Sequence, residues 1–176
     1  MSARSKILSI GGMERRVEEA LARDFEVFSS HDESLASLVA AHGKEIEAIV
    51  TWGREKTDAA LIAALPKLRL ISNYGVGYDS VDAHAAAARG VIVTHTPDVL
   101  NDEVADFTVA LLLATIRQLP QADAYVRGGQ WASARFPLSA SLRDRSIGIA
   151  GLGRIGLTIA KRLEGFAGRS PITPAR

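Results

Sequence analysis

The sequence contains no cysteine, few aromatic residues and almost no net charge. The absence of cysteine excludes disulfide bonds, a catalytic thiolate and cysteine-ligated metal sites. It is compatible with a reducing compartment, and we expect a cytoplasmic protein. Across the 176 residues, 21 Lys and Arg balance 20 Asp and Glu, which leaves a formal charge of +1. This balance, without a long basic run, gives no electrostatic indication of a nucleic-acid partner.

Long apolar segments are also missing. The longest apolar stretch runs from Phe107 to Ile116, between Asp106 and Arg117, whereas a membrane-spanning helix needs about 20 such residues. The apolar run at 7–10 is shorter than the core of a secretory signal peptide, which takes about 7–15 residues. We therefore expect neither a membrane segment nor a secretory signal.

Metal-site and hydrolase patterns find no support in the sequence. The histidines have neither the i, i+4 spacing nor the nearby carboxylates of a zinc site, so surface or turn roles are expected for them. They are His31, His42, His84 and His95. No serine lies in a G-x-S-x-G turn, and the nucleophile of an α/β-hydrolase is therefore not predicted.

Short β-branched apolar runs alternate with amphipathic stretches in residues 1–98. The predicted strands cover 6–10, 25–28, 48–51, 68–72 and 91–94, and the predicted helices cover 14–23, 34–41, 58–65 and 80–89. Asp58, and then Asp79 or Ser80, are suited to cap helices at their N-termini, and Gly90 is suited to end the last one. Strands separated by helices predict right-handed βαβ units and a parallel sheet. The predicted fold class is therefore α/β.

The second half of the sequence has a different composition and a different apolar pattern. Residues 101–119 predict one long helix that is apolar on almost every side and must be covered by other protein. Residues 125–142 are irregular and rich in Gly, Ser, Arg and aromatic side chains, which favours an interface arm over a nucleic-acid surface. A strand at 146–150 leads into a helix that ends near Phe166. No element is predicted for residues 169–176, because they show no apolar periodicity.

The strand at 146–150 is followed by a glycine pattern typical of dinucleotide-binding proteins. The pattern G-x-G-x-x-G is matched by Gly151-Leu152-Gly153-Arg154-Ile155-Gly156. Gly151 permits the tight turn, Gly153 lets the backbone approach a pyrophosphate, and Gly156 lets the helix pack closely on the strand. The N–H groups at the start of the helix favour a phosphate. A turn with a purely structural role is the alternative.

One part of a dinucleotide site is missing from the sequence. An Asp or Glu about 20 residues beyond the glycines would bind the adenosine ribose, but no acid follows Glu164. We also expect no second strand after the helix, so the strand at 146–150 would lack a partner. The apolar helix at 107–116 would also lose part of its cover and expose a patch. The part of the chain beyond about residue 120 should then be loosely held, and the chain should self-associate.

A second glycine-rich loop follows the fourth predicted strand. Its residues are Asn73-Tyr74-Gly75-Val76-Gly77-Tyr78-Asp79. Ligands of parallel sheets bind at the carboxyl ends of the strands, and two glycines in three residues can turn backbone N–H groups toward an anion such as a carboxylate. A turn into the next helix, without a ligand, is the alternative interpretation. The residues alone leave both interpretations open.

Four motifs in one order resemble those of the D-isomer-specific 2-hydroxyacid dehydrogenases. They are N-Y-G-V-G-Y-D at 73–79, R-G-V-I-V-T-H-T-P-D-V-L at 89–100, V-A-D-F-T-V-A-L-L-L-A at 104–114 and G-L-G-R-I-G at 151–156. The similarity runs from about residue 45 to Phe166, and it points to the glyoxylate/hydroxypyruvate and hydroxyphenylpyruvate reductase branch. It implies a flavodoxin-like substrate domain followed by the first βα unit of a Rossmann domain.

The resemblance also implies a domain organisation, ligands and site residues. The segments are a substrate domain (1–98), an interdomain helix (99–120), a dimer-arm-like segment (121–145) and the start of the NAD(P)-binding domain (146–166). Val76 and Gly77 are implied to hold the substrate carboxylate by backbone N–H groups, and the glycine motif, chiefly its residues 153–155, to contact the cofactor pyrophosphate. The implied cofactor is NADP or NAD, the implied substrate a small 2-keto or 2-hydroxy acid, and the implied assembly a homodimer.

The catalytic groups of that family lie in the later Rossmann half. An Arg, a Glu and a His there support hydride transfer between nicotinamide C4 and the second carbon of the acid. None of them has a counterpart in this sequence, so we assign no catalytic residue and no metal, and we expect the chain to be inactive.

The last ten residues depart from the family pattern. The family continues after Phe166 with a strand similar to P-V-A-Y-H-S-R, and a shifted frame through the codons for residues 168–175 can spell P-V-A-Y-H-(A/S/T)-R. We therefore hypothesise that residues 167–176 form an aberrant, frame-shifted tail. The restored strand would end in a basic residue, which favours NADP over NAD because Arg accommodates the 2′-phosphate.

Two hypotheses from other functional classes stay open. The chain could be a non-enzymatic interaction fragment that pairs with a full-length relative through its arm-like segment. It could also be a flavodoxin-like regulatory domain whose glycine turn binds no cofactor. Mixed dimers would support the first hypothesis, and the absence of any thermal shift with NADPH or NADH would support the second.

Overall fold

Five parallel strands and four helices alternate in the first of two units, Met1–Val99. The computed structural model describes residues 4–143, 145–166 and 173–175. The strands are β1 (Lys6–Ile10), β2 (Glu26–Ser29), β3 (Ala48–Thr51), β4 (Leu70–Asn73) and β5 (Ile92–Thr94). The helices are α1 (Arg15–Asp24), α2 (Leu35–His42), α3 (Ala59–Ala64) and α4 (Ala83–Ala88). The spatial order β2-β1-β3-β4-β5 is the flavodoxin-like order and confirms the predicted parallel α/β fold.

The centre of the sheet supplies the core of the first unit. Leu8 of β1 lies beside Ile49 of β3, and Ile49 lies beside Ile71 of β4. All three side chains are fully buried, and Leu38 of α2 and Ile62 of α3 belong to the same cluster. Because all the strands are parallel, this core fixes their carboxyl ends at one edge of the sheet.

The predicted helix caps of this unit are partly correct. The Asp58 side chain accepts a hydrogen bond from the N–H of Leu61 and caps α3, as predicted. The prediction of Asp79 or Ser80 as the cap of α4 is wrong, since Asp82 accepts from the N–H of Ala85. The helix starts later because Thr57 pairs with Val81 in a parallel bridge, and its carbonyl accepts the N–H of Asp82.

In the second unit, Leu100–Arg176, two helices and a 3-10 turn come before the first of two short strands along the chain, and a third helix follows that strand. Its elements are α5 (Asn101–Arg117), α6 (Leu119–Arg127), a 3-10 turn (Gln130–Ala132), β6 (Gly148–Ala150), α7 (Arg154–Glu164) and β7 (Thr173–Ala175). Val109 of α5, Ile149 of β6 and Leu163 of α7 form its buried cluster. Arg162 adds polar contacts between the helices, because it donates hydrogen bonds to Asp102 and Asp106 of α5.

The prediction of one helix over 101–119 is wrong at its end, and residues 125–127 are helical rather than irregular. Gln118 adopts a left-handed conformation (φ 52°), which separates α5 from α6. Pro120 explains the break, because a proline inside a continuous helix lacks the N–H of the helical hydrogen bond and clashes with the preceding turn. In the first turn of α6 the missing N–H costs nothing.

The described residues cover only part of α5, which agrees with the expectation that this apolar helix exposes a patch. Ala105 and Val109 are buried, but Phe107 and Leu111 are 64% and 52% exposed. Within the described ranges, no helix has the length and apolar character needed to cross a membrane.

The prediction that the strand at 146–150 lacks a partner is wrong too. β6 pairs in parallel with β7, and Gly148, Ile149 and Ala150 lie opposite Thr173, Pro174 and Ala175 respectively. The backbone therefore forms a β6-α7-β7 unit, one strand more than the apolar periodicity indicated. Three residues containing a proline carry too little periodic signal to predict a strand. The hypothesis of a frame-shifted tail at 167–176 falls mostly outside the described residues.

Candidate functional site

The loop after β4 leaves the carboxyl edge of the first sheet at Asn73. The backbone N–H of Tyr74 donates to the carbonyl oxygen of Thr51 at 2.7 Å, which continues the ladder between β3 and β4 for one more residue. Beyond this point the backbone of Gly75, Val76 and Gly77 no longer pairs with a strand. The loop therefore depends on other groups to fix its peptide units.

The side-chain amide of Asn73 provides two of these contacts. Asn73 is only 2% exposed, and its Nδ2 donates to the carbonyl oxygen of Gly77 at 2.8 Å and to that of Gly75 at 3.2 Å. An amide nitrogen carries two hydrogens, so one group can satisfy both carbonyls. The two contacts draw the carbonyl groups of Gly75 and Gly77 toward the buried end of β4.

Residues after β5 hold the loop from the neighbouring strand. Nδ1 of His95 lies 2.9 Å from the carbonyl oxygen of Val76, and the N–H of Thr96 donates to the carbonyl oxygen of Gly75 at 3.0 Å. A carbonyl oxygen can only accept, so Nδ1 is the protonated nitrogen of His95 in this contact. The ring of Tyr78 packs edge-on against His95 with 5.0 Å between ring centroids.

These contacts determine where the N–H groups of the loop point. In a trans peptide the carbonyl and the N–H of the next residue point in opposite directions, and the chain has no cis peptide bond among its described residues. The carbonyl oxygens of residues 75, 76 and 77 all accept hydrogen bonds, from Asn73, His95 or Thr96. The N–H groups of Val76, Gly77 and Tyr78 therefore face away from those contacts, and none of them has an acceptor among the described residues.

The two loop glycines serve close approach rather than unusual dihedral angles. Neither Gly75 nor Gly77 has a positive φ. A Cβ on Gly75 would lie 3.3 Å from Nδ2 of Asn73, and a Cβ on Gly77 would lie 3.0 Å from Oδ2 of Asp79. The missing side chains thus leave room for the groups that surround the loop.

Two charged groups accompany the loop. The guanidinium of Arg54 stacks on Trp52 with 4.5 Å to the ring centroid, and Trp52 contacts Tyr74 edge-on with 6.0 Å between centroids. The carboxylate of Asp79 lies on the other side, next to Gly77. The exposed loop thus has a cation and an anion in its surroundings, and the oriented N–H groups are its main feature for binding an anion.

In the glycine turn of the second unit, the structure explains why two of the positions are occupied by glycine. Gly151 has φ 89°, in the left-handed region that favours glycine, and this turns the chain after β6. A Cβ on Gly156 would lie 2.1 Å from the carbonyl oxygen of Gly151 and 3.7 Å from Cγ2 of Ile149. The start of α7 therefore packs directly on the end of β6, as the motif predicts.

Gly153, the middle glycine of the motif, has neither a positive φ nor a packing contact, because apart from its chain neighbours no described atom lies within 4 Å of the place where its Cβ would be. Gly153 is the N-cap of α7 and carries no side-chain cap. In the described part of the chain, the N–H groups of Ile155 and Gly156 also have no acceptor. Leu152 is 42% exposed beside them. Open space next to uncapped N–H groups fits a phosphate at the start of this helix.

The predicted site residues thus form two groups, one in each unit. Sequence patterns indicated both loops but missed the role of Asn73 and gave His95 a general surface or turn role. An asparagine that ends a buried strand directly before a glycine loop is the signal that was available, because its amide can reach backbone groups two to four residues onward. His95 gave no local signal, since its contact with Val76 comes from a neighbouring strand.

The amino-acid sequence matches known proteins along most of its length. A sequence model of the family described as "D-isomer specific 2-hydroxyacid dehydrogenase, catalytic domain" matches residues 7–173. A glyoxylate reductase of Pyrococcus horikoshii is 42% identical over 81% of this chain and 45% of its own length. A hydroxyphenylpyruvate reductase of Plectranthus scutellarioides is 39% identical over 91% of this chain and 51% of its own length.

A solved structure shows the same fold. An NADPH-dependent glyoxylate/hydroxypyruvate reductase of Sinorhizobium meliloti, in complex with NADP and malonate, is 44% identical and superimposes with a TM-score of 0.83. The comparison covers 98% of this chain and 57% of that chain. The chain therefore spans about half the length of the curated relatives it matches.

Proposed function

Because the chain belongs to the D-isomer specific 2-hydroxyacid dehydrogenase family, we propose that it belongs to an enzyme that reduces a 2-keto acid with NAD(P)H. The product would be the D-2-hydroxy acid, and glyoxylate and hydroxypyruvate are the proposed substrates. The observation that carries the proposal is the loop in which the N–H groups of Val76 and Gly77 are oriented and have no described acceptor. The names of the relatives support this substrate class.

The proposed role of the first unit is to bind the substrate carboxylate. Hydrogen bonds from N–H groups to a carboxylate are charge-assisted and roughly twice as strong as those between neutral groups. Val76 and Gly77 are adjacent, so their N–H groups suit the two oxygens of one carboxylate. This contact would fix the acid end of the substrate and leave its second carbon for the reaction. The malonate bound to the relative of S. meliloti is also a carboxylate.

The proposed role of the second unit is to hold the pyrophosphate of NAD(P). Its motif, Gly151 to Gly156 with Leu152, Arg154 and Ile155 between the glycines, has the uncapped N–H groups and the open space beside Gly153 that a phosphate requires. When bound, reduced NAD(P) supplies the hydride for the keto carbon. We propose NADP as the preferred form, and the NADP complex of the relative of S. meliloti supports this choice.

We also propose that these 176 residues bind ligands without turnover. The resemblance places the Arg, Glu and His of the reaction in a part of the family fold for which this sequence has no matching residue. General acid–base help is worth about 10²–10⁴-fold in rate. Without those groups, mixing the chain with NADPH and glyoxylate should cause no loss of NADPH absorbance, even where both ligands bind.

Calorimetric titration of NADPH and NADH into the chain, beside the variant Gly153→Val, tests the cofactor site. The backbone of Gly153 is extended (φ −77°, ψ −164°), a conformation that valine adopts, and its side chain would enter open space. We expect the variant to bind the nucleotides at least about tenfold more weakly, because one blocked charge-assisted contact accounts for that loss. Its melting temperature should change little. Equal affinities of the wild type and the variant would contradict the site.

A second candidate function is assembly with another copy or with a full-length relative. The exposed apolar side chains of the second unit favour it. They are Phe107, Leu111, Leu119, Val126 and Trp131. Light scattering of the purified chain should show a homodimer, and co-expression with a tagged full-length relative should give mixed dimers. Replacing Phe107 and Trp131 by Ser should weaken both associations; a chain that remains monomeric in both assays would exclude this function.

A further inference from the structure

We propose that Asn73 is the positioning residue of the carboxylate site and that it adds the N–H of Tyr78 as a third donor. The inference rests on the proposed function of the loop. Asn73 holds the carbonyl of Gly75, whose peptide unit carries the N–H of Val76, and the carbonyl of Gly77, whose peptide unit carries the N–H of Tyr78. One buried side chain therefore sets the direction of two of the three N–H groups.

The chemistry of the amide explains why asparagine suits this position. Both hydrogens of Nδ2 are used, so the orientation of the amide is fixed by two carbonyl oxygens that can only accept. An aspartate would place an oxygen against the carbonyl oxygens of Gly75 and Gly77, and would put a negative charge beneath an anion site. A serine hydroxyl has one hydrogen and cannot satisfy both carbonyls.

The location of Asn73 makes the contact rigid. Its backbone is opposite Thr51 in the β3–β4 ladder, and both residues are buried. Oδ1 of Asn73 is also buried and faces Gly53, where a Cβ would lie 3.3 Å from it. The amide is thus enclosed on the side away from the loop, and either peptide unit that it holds can rotate only if its own hydrogen bond to Asn73 breaks.

His95 orients the peptide unit between Val76 and Gly77, which lies between the two units held by Asn73. Its Nδ1 holds the carbonyl of Val76, and this turns the N–H of Gly77 outward. Asn73 and His95 therefore hold alternate peptide units from two neighbouring strands. The carbonyl of Gly75 has a second donor in the N–H of Thr96, whereas Asn73 is the only described donor to the carbonyl of Gly77. The peptide unit of Gly77 and Tyr78 should depend most on Asn73.

The experiment follows the amide signals of Val76, Gly77 and Tyr78 by heteronuclear NMR while malonate and then glyoxylate are added to the full chain. The test variants are Asn73→Asp and the milder Asn73→Ser. The control is Thr51→Val, which keeps the shape of a similarly buried side chain but removes the hydroxyl that accepts the N–H of Gly53 at 3.1 Å. Melting temperatures of all variants are recorded, so that a general loss of stability is visible separately from a loss of binding.

We expect the wild type and Thr51→Val to bind malonate with similar affinity. Both Asn73 variants should bind at least about tenfold more weakly, and the signal of Tyr78 should lose its response first. Relaxation measurements without ligand should show faster motion at Gly77 and Tyr78 in the Asn73 variants only. If the wild type binds and the Asn73 variants bind equally well, the inference about Asn73 is wrong and the proposed function stands. If the wild type shows no response at the loop, the proposed carboxylate site is wrong, and the inference is overturned with it.

Discussion

Gly156 lies against the carbonyl oxygen of Gly151 so closely that a Cβ on Gly156 would be 2.1 Å from that oxygen. Gly153, in the same motif, has no described atom within 4 Å of its own Cβ position apart from its chain neighbours. One glycine is therefore required by packing, whereas the fold gives no steric reason for the other. This difference allows folding and ligand binding to be tested separately.

Replacing Gly156 by Ala should destabilise the protein by about 3 kcal/mol or more, because the new methyl group would overlap backbone atoms that cannot move without shifting β6. The matched variant Gly153→Ala should cost less than about 1 kcal/mol, the usual difference between these residues at an N-cap. Urea unfolding followed by circular dichroism measures both changes. Similar losses in the two variants would show that Gly156 has no special packing role.

Gln118 adopts a left-handed conformation with φ 52°, which costs residues with a side chain about 1–2 kcal/mol. Gln118→Gly should therefore raise the free energy of unfolding by about 0.5–1 kcal/mol, after the greater freedom of glycine in the unfolded chain is subtracted. Gln121→Gly, in the first part of α6, should instead lower it, because glycine is a poor helix former. The free energies come from the same unfolding curves. A loss of stability in both variants would contradict the assigned break between α5 and α6.

The ion pair between Lys6 and Glu45 should make stability depend on pH. The hydrogen bond from Lys6 lowers the pKa of the Glu45 carboxyl from its ordinary value of 4.5, so the pair stabilises the fold above that pH. This contribution is lost as the pH falls through the lowered pKa of the folded state. The hydrogen bond to Glu45 also raises the pKa of Lys6 above 10.5, so on the alkaline side the contribution is lost only as the pH rises through that raised value.

The variant Glu45→Gln tests this pair by thermal unfolding across the pH range. It should melt below the wild type at neutral pH, and the difference should vanish as the pH falls through the lowered pKa of the Glu45 carboxyl. Glu26→Gln is the control, because Glu26 lies 3.8 Å from Lys6 and should have a smaller effect. A difference between Glu45→Gln and the wild type that persists unchanged in acid would rule out the ion pair as its cause.

Arg162 joins α7 to α5 through Asp102 and Asp106, and these two partners raise the pKa of its guanidinium. Arg162→Met should lower the melting temperature at low salt, and the difference should shrink in about 0.5 M salt, where exposed charges are screened. Arg127→Met, which removes an exposed pair with Asp123 inside α6, is the control. Equal melting temperatures for the two variants would mean that the contact between helices adds nothing.

Much of the first unit could be predicted from the sequence. The bounds of β1 and β3 agree with the prediction, since each is a short apolar run between polar turns. β4 was predicted to start at Leu68 and to end before Asn73. Leu68 is buried, but its N–H donates to the carbonyl of Leu65 in a turn, and the polar Asn73 continues the strand by pairing with Thr51.

The sequence predicted only half of the proposed carboxylate site. The glycine pattern located the loop that contains Val76 and Gly77, because such loops follow strands at a ligand-binding edge. The groups that hold its carbonyls come from Asn73 at the end of β4 and from His95 beyond β5. Local patterns do not record which strands become neighbours. The contacts that depend on the order of the strands in the sheet could therefore not be predicted from the sequence.

The attachment of the loop to Asn73 has a thermodynamic consequence for recognition. Ordering a flexible segment costs about 1–2 kcal/mol for each residue that loses its backbone freedom. Here the segment from Gly75 to Gly77 is already ordered by a buried side chain, so an anion that binds there as proposed would meet donors that are in place before it arrives. Acids that share a carboxylate would then gain the same amount from this loop. Discrimination among these acids would therefore depend on the residues that surround the substituent on the second carbon.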